Sequence, residues 1–483
     1  MKKVLLLALG SWLVRCSLGV SGMLVDGVSA QSISQRLQKA FGQFEADSQL
    51  KHAISSLYVI NAKTGEVVFD KNSQVGLAGA STQKIVTAAT AFELLGKGFR
   101  YKTNISYFGE IKENKLYGGV IFKANGDPTF GSWRYKSTSA EVFLDSFSIA
   151  LKHAGIYDFD TTMTDGYYLP MNGNPADISP DGWIWQDIGN YYGANAYEFN
   201  WNENQFTVRY RPGDVGQLAA VDSFLPAYAK EGNVRGNVYT GKPGSGDHTY
   251  FYSTPEGRFA KGTVPAGVPY FDVSASVYDP TTFFMYFLQS NFSSKNDKQK
   301  KLPGGNFVMG PKNRFPRQEN SLIYTHSSPS LDSIIYWFLK KSINLYGKTL
   351  VKTFAYEKQG FGSTDSGVAI VRKFWKEKGL DEDELNIYDG SGLSPLNRLT
   401  THAQVEVLKY AKTKDWFPYF YAALPEYNGM KLKSGTISDV KGFCGYHTAK
   451  DGTEYIVSFL VNNYNGRTSG VVNKMYKVLD ELK

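Results

Sequence analysis

From about residue 96 to residue 304 the chain is written in short aromatic runs broken by Gly, Pro, Asn and Asp, as in "GGVIFKANGDPTFGS" and "NYYGANAYEFNWNENQFTVRYRPGD". On either side of that stretch, apolar residues recur at helical spacing between isolated strands. An order of α/β, then mainly β, then α/β leaves few architectures open. A simple one is a single α/β domain, residues 31–95 joined to 305–483, split by a large, mainly β insertion at 96–304. The insertion ends in "SSKNDKQKKLPGG", whose charge and Gly/Pro content suit an exposed boundary.

The flanking parts carry their own signals. "SISQRLQKAFGQF" predicts an amphipathic helix, and "SLYVINAKTGEVVFD" predicts a hairpin turning at Lys63-Thr64-Gly65. Helical periodicity returns in "SLDSIIYWFLKKSINLYGKTLV", "GVAIVRKFWKEKG" and "THAQVEVLKYAKT". The carboxyl end predicts a strand (KSGTISDVKGFCGYH), a turn at Asp451-Gly452, a strand (EYIVSFLVNNY) and a helix (TSGVVNKMYKVLDELK). The sequence contains no solenoid repeat, metal-spaced Cys/His cluster or phosphate loop.

Residues 1–30 read as a signal peptide: Lys2 and Lys3 precede the eleven-residue apolar run VLLLALGSWLV, and Val28-Ser29-Ala30 is a small-x-small cleavage site before Gln31. The run falls short of the ~20 residues a membrane-spanning helix requires. An exported protein, periplasmic or elsewhere in the cell envelope and without an integral membrane segment after cleavage, is therefore expected. A lipid anchor on Cys16 fits less well, because Arg15 stands where such signals carry a small residue. Cleavage leaves 453 of the 483 residues and removes three basic residues and one acid, so formal net charge falls from +8 to +6. No Lys/Arg tract interleaved with aromatics points to nucleic acid, whereas a mildly basic exported protein suits an anionic envelope polymer. Cys444 is then the sole cysteine, so no intrachain disulfide can form and stability must come from core burial.

"GASTQKIVTAAT" (79–90) sets Ser81 and Lys84 three residues apart at the head of an apolar, alanine-rich run. On a helix such positions are neighbours, with Cβ atoms about 5–6 Å apart, so hydroxyl and amine can meet. Lysine acts as a base when its ammonium form is disfavoured, which burial or a nearby cation achieves. The pattern alone is equally met by a solvated helical pair, and Ser48-x-x-Lys51 and Ser438-x-x-Lys441 share it.

Two further stretches add weight. "KKSINLYG" supplies Ser342-Ile343-Asn344, and "LKSGTIS" supplies Lys433-Ser434-Gly435-Thr436 at the start of a strand. The order Ser-x-x-Lys, Ser-x-Asn, Lys-Ser/Thr-Gly marks penicillin-binding proteins and serine β-lactamases. Together with "SSPSLDSIIYWFLKKSINLYG", "YDGSGLSPLNRLT" and "LKSGTISDVKGFCGY", the set resembles the D-alanyl-D-alanine carboxypeptidases/endopeptidases of the class C low-molecular-mass penicillin-binding proteins. That family also has a long insertion between its first two motifs, here a gap of 261 residues from Ser81 to Ser342. "ANGDPTFG" and "GWIWQDIGNYYGA" are similar to parts of it. Three departures stand out: Ile343 where aspartate is common, Ser434 for threonine, and Pro395 where the family usually has arginine after "DGSGLS". Arg398 is the nearest candidate to replace that arginine, which is thought to hold the acidic side chain of the stem peptide.

The resemblance implies an α/β fold of the β-lactamase/transpeptidase type, an antiparallel sheet flanked by helices. It also implies serine-type hydrolysis of peptidoglycan stem peptides through an acyl-enzyme, with no cofactor and no metal, and β-lactam antibiotics as covalent inhibitors. It assigns Ser81 as nucleophile, Lys84 as its base, Ser342 as proton relay, Asn344 as holder of the Ser342/Lys84 geometry, and Lys433 as a fixed positive charge. Ser434, Gly435 and Thr436 would bind the terminal carboxylate and oxyanion. A catalytically silent wall-binding protein on the same scaffold and a serine β-lactamase are the alternatives. Asp187 would bind an amine on the substrate side chain, as the insertion does in some members. Glu382-x-x-Leu385-Asn386 spells a deacylation motif but lies in the acidic loop "GLDEDELNIYDG", where a solvated role is expected. His326 and His402 have no nucleophile elbow beside them and are expected to pack, as are Trp183, Trp185, Tyr191 and Tyr192 before any stacking on glycan.

Overall fold

The computed structural model describes residues 31–159, 162–166, 179–229, 234–254, 257–291, 307–308 and 321–483. The expected signal segment with Cys16, and the boundary stretch at 293–305, lie outside the described residues.

A six-stranded antiparallel sheet organises the two ends of the chain, in the order 426–427, 430–437, 440–448, 454–462, 54–61, 67–71. The predicted hairpin is its edge, and Tyr58 pairs with Ser458, so the amino-terminal strand completes a sheet begun four hundred residues later. Alternation decides the packing. Leu57 and Val59 face a core with Leu37, Phe41, Phe459, Val471 and Met475, built on helices Ile33–Glu45 and Thr468–Leu479. Tyr58 and Ile60 face the other core, with Ile85, Ala88, Phe92, Phe338, Leu350, Trp375 and Leu408. The sheet is thus flanked by helices on both faces, an α/β fold of the expected class.

The run KSGTISDVKGFCGYH, predicted as one strand, is two: Met430–Ile437 and Val440–Thr448 pair antiparallel around a tight turn in which Asp439 has φ 54°. Aspartate tolerates that left-handed backbone better than most side chains.

The middle of the chain forms separate sheets over an aromatic core. Strands Lys102–Lys112 and Lys115–Lys123 pair with each other; smaller sheets join 205–211 with 220–225 and 271–276, and 257–265 with 234–241 and 250–254. Phe122, Phe130, Phe143, Phe199, Trp201 and Phe284 pack edge to face beneath them. Strand Ser321–Ser327, which follows the boundary expected at 305, pairs with Lys102–Lys112. The chain then returns to the helical core through Leu331–Lys340.

Candidate active site

Ser81 lies in a short 3-10 turn, Ala80–Gln83, that runs into the helix Lys84–Leu95. Every residue from Lys84 to Phe92 is buried, because alanines at 88, 89 and 91 admit the surrounding helices closely. Lys84 is therefore in the interior and not on a solvated face. Its Nζ stands 2.8 Å from Ser81 Oγ, 2.6 Å from Asn344 Oδ1 and 2.5 Å from the backbone oxygen of Ser391. Amide oxygens can only accept, so the last two take N–H groups of Lys84. In a neutral amine that arrangement leaves the nitrogen lone pair facing the Ser81 hydroxyl, the path along which its proton would leave. Burial, and after it the charge of Lys433, hold Lys84 well below the usual lysine range against the opposing pull of Asp389.

Lys433 enters from the Met430–Ile437 strand and donates to Ser342 Oγ at 3.0 Å and to the Ser434 carbonyl at 2.7 Å. Burial pulls it down to about 7. Asn344 completes the group: while its oxygen accepts from Lys84, its Nδ2 donates to the Tyr192 carbonyl at 2.8 Å. Ser81, Lys84, Asn344, Ser342 and Lys433 are thus gathered in one cleft as two hydrogen-bonded chains, Ser81–Lys84–Asn344 and Ser342–Lys433. Ser434 donates to the Tyr427 hydroxyl at 3.1 Å, and Thr436 is exposed at the strand's edge.

Backbone geometry is bent to bring these parts together. Ala80, just before Ser81, has φ 46°, and Ser342 has φ 58°; residues with a Cβ hold that region at a cost of about 1–3 kcal/mol each. Gly435 permits a close approach of strand and turn, since a Cβ there would sit 2.4 Å from the Gly79 carbonyl oxygen and 3.0 Å from the Ser81 nitrogen. At Gly392 a Cβ would lie 2.0 Å from the Ala80 oxygen.

Asp389 is the participant that sequence reasoning missed. Its carboxylate accepts from the backbone N–H groups of Ser391, Gly392 and Ser394 at 2.6–2.8 Å and from Trp183 Nε1 at 2.9 Å. It therefore fixes the loop whose Ser391 carbonyl holds Lys84. The "DGSG" string was the available signal, since an aspartate followed by small residues and glycine commonly turns back on its own amides.

Asp187 sits on the short helix Trp185–Ile188, half-buried, and accepts from the Tyr192 hydroxyl at 3.2 Å; among the described residues Tyr192 is its link to the cleft. Burial raises its carboxyl, the Tyr192 bond partly offsetting this. Glu382 is at the surface, paired with Lys376 at 2.7 Å. His326 is core, packed on Phe130 at 4.7 Å, and His402 bonds Glu384 at 3.0 Å. Arg398 is spent on the carbonyls of Pro395 and Asn397, within its own loop. Trp183 is buried against Asp389, whereas Trp185 and Tyr191 remain exposed. Among the described residues no helix is long and apolar enough to cross a membrane.

The profile of the D-Ala-D-Ala carboxypeptidase 3 (S13) family matches residues 37–427. The chain belongs to that family. It is accordingly a serine-type D-Ala-D-Ala carboxypeptidase, a hydrolase acting as carboxypeptidase or endopeptidase. It is 26% identical over 482 residues to a D-alanyl-D-alanine carboxypeptidase of Actinomadura sp. (strain R39), covering 93% of this chain and 85% of the relative. It is 22% identical to the D-alanyl-D-alanine carboxypeptidase DacB of Haemophilus influenzae, with 84% of each chain covered. In fold it is similar to the crystal structure of penicillin binding protein 4 (dacB) from Haemophilus influenzae, with TM-score 0.75, 19% identity, and 94% and 99% of the two chains covered. A structure of that protein complexed with a β-lactam aligns with TM-score 0.68 and 17% identity, covering 92% of this chain and 98% of that one.

Proposed function

We propose that this S13 peptidase cuts the bond after D-alanine in peptidoglycan stem peptides through an ester on Ser81. Ser81 Oγ attacks the carbonyl carbon of the penultimate D-alanine as its proton passes to Lys84 Nζ. The oxyanion is met by the backbone N–H groups of Ser81 and Thr436, donors worth about 2.7–4 kcal/mol each in other enzymes. Collapse breaks the C–N bond, and Ser342 hands the proton on to the departing amine. Water then hydrolyses the ester. Lys433 keeps Lys84 neutral and, with Ser434 and Thr436, attracts the terminal carboxylate. Asp187, beside the cleft through Tyr192, receives an amine of the stem-peptide side chain. Export to the cell envelope brings the cleft to that substrate, and β-lactams, which offer the same carbonyl, acylate Ser81. The insertion runs from about residue 100 to 327, as the pairing of Ser321–Ser327 with Lys102–Lys112 supports.

One observation carries the mechanism: a fully buried amine 2.8 Å from Ser81 Oγ with its other hydrogen bonds taken by amide oxygens. Fluorescent penicillin should label wild type and leave Ser81→Ala unlabelled, while digestion of a pentapeptide monomer and a cross-linked dimer reports which bonds are cut. Label surviving in Ser81→Ala, or rapid nitrocefin turnover, would sink the mechanism.

A further inference from the structure

Lys441 projects from the Val440–Thr448 strand directly opposite Thr436, and its Nζ donates to Thr436 Oγ1 at 2.8 Å. The residue is only 8% exposed, with its ammonium 4.7 Å from the centre of the Phe443 ring. Among the described residues no carboxylate pairs with it, and burial pulls it down to about 8. A buried cation without a counter-ion is costly, and a strand position near a hairpin turn does not demand one. Thr436 itself is exposed. The short strand Glu426–Tyr427 covers only Lys431 and Met430 on that side, so no further strand occupies the outer edge at Thr436 among the described residues.

The direction of the hydrogen bond matters. A hydroxyl has one proton, and an oxygen that accepts from an ammonium keeps that proton for another acceptor. Donation by a cation also polarises the O–H, strengthening it as a donor. The acceptor that best suits such a donor, close to Lys433 and Lys441 together, is an anion.

We infer that Lys441 is a positioning residue for the free carboxylate at the substrate's end: acting through Thr436, it turns that hydroxyl outward as a donor and adds a second positive charge beside Lys433. The inference rests on the proposed binding of the carboxylate at Ser434 and Thr436. It makes selectivity for a carboxylate over a carboxamide a property of Lys441, a residue outside the three motifs.

The test compares a peptide ending in D-Ala-D-Ala with its carboxamide, using wild type, Lys441→Met, Lys441→Gln and Lys441→Arg. Lys441→Met should raise KM for the carboxylate peptide about tenfold, keep kcat within about twofold, and leave kcat/KM for the carboxamide unchanged. Lys441→Arg should restore most of the loss, and Lys441→Met should add nothing further in a Thr436→Val background. Lys441→Gln keeps a donor and drops the charge, so it carries the comparison if Lys441→Met does not fold. An unchanged KM, or equal losses on both peptides, overturns the inference. Penicillin labelling is run on every variant: no Ser81 adduct in wild type means the proposed mechanism has failed, whereas a normal adduct with unaltered selectivity means that only the role of Lys441 has.

Discussion

Two buried ionic groups meet at the first turn of the helix Asn344–Gln359, Asn344 joining one and Tyr346 the other, and they are built differently. Around Tyr346, the Glu203 carboxylate accepts from Ser132 Oγ at 2.7 Å, Tyr346 OH at 2.8 Å, Arg134 Nε at 2.8 Å and Gln205 Nε2 at 3.2 Å. One acid is matched by one base and the network is closed on itself. Around Asn344, two buried lysines, Lys84 and Lys433, share a cleft in which the carboxylate acting on Lys84, Asp389, is taken up by backbone amides. A closed pair holds a fold in register. An open cluster of amines with excess positive charge is short of a proton or an anion, which is the condition for base catalysis and for capture of a carboxylate.

The difference yields a crossed pair of mutations. Lys84→Met should lower kcat/KM by about 10³-fold or more, since it removes the base, while shifting the melting temperature little. Glu203→Ala should leave activity within about tenfold at low temperature and cost about 3 kcal/mol of stability, because Arg134 would lose its buried partner. Steady-state kinetics with thermal or urea denaturation reads both effects. If Glu203→Ala is the more damaging to chemistry, or Lys84→Met to stability, the contrast is wrong.

Packing around the open cluster sets the next effect. Gly435→Ala forces the Lys433 strand away from the Ser81 turn, because the new Cβ would lie 2.4 Å from backbone oxygen of Gly79. A loss of about 10²-fold in acylation rate is expected from displacement on that scale, with about 1–3 kcal/mol of destabilisation. Stopped-flow penicillin acylation at near-normal rate would show that the strand and the turn yield more easily than their contact implies.

The smallest effect is on pH dependence. Acidification protonates Lys84 and removes the base, so rate falls toward low pH. On the alkaline side Lys433 loses its charge near pH 7 in the free protein, so kcat/KM should fall above that value. A bound carboxylate favours the charged form of Lys433, so the alkaline limb of kcat should lie at higher pH than that of kcat/KM. Coincident limbs would mean that Lys433 does not face the carboxylate.

Much of this could be read before folding. The hairpin at Gly65, the apolar helix after Ser81 and the three motifs each announce themselves through local spacing, and hydrogen bonds join the motif side chains as Ser81–Lys84–Asn344 and Ser342–Lys433. Asp389 was not legible, because its partners are its own loop's amides and Trp183, two hundred residues away. In the sequence Lys441 stands out only as part of Ser438-x-x-Lys441, which shares the Ser-x-x-Lys pattern. The role proposed for it depends on strand register, which sets it opposite Thr436 and not one residue along. Ser321–Ser327 could not be assigned to the middle sheet from its alternation, since a strand's pattern names the face it buries and not the strand it pairs with.

By itself the sequence determined which groups exist and how neighbours along the chain can face: hydroxyl and amine on one helix face, two-residue alternation in the strands, helices between. Only the tertiary structure decided that Lys84 is buried, that its hydrogen bonds reach Asn344 and Ser391, and that burial first and the nearby charge of Lys433 second disfavour its ammonium form. Periodicity is a property of one segment, whereas desolvation and Coulomb interaction depend on what every other segment brings within a few ångströms.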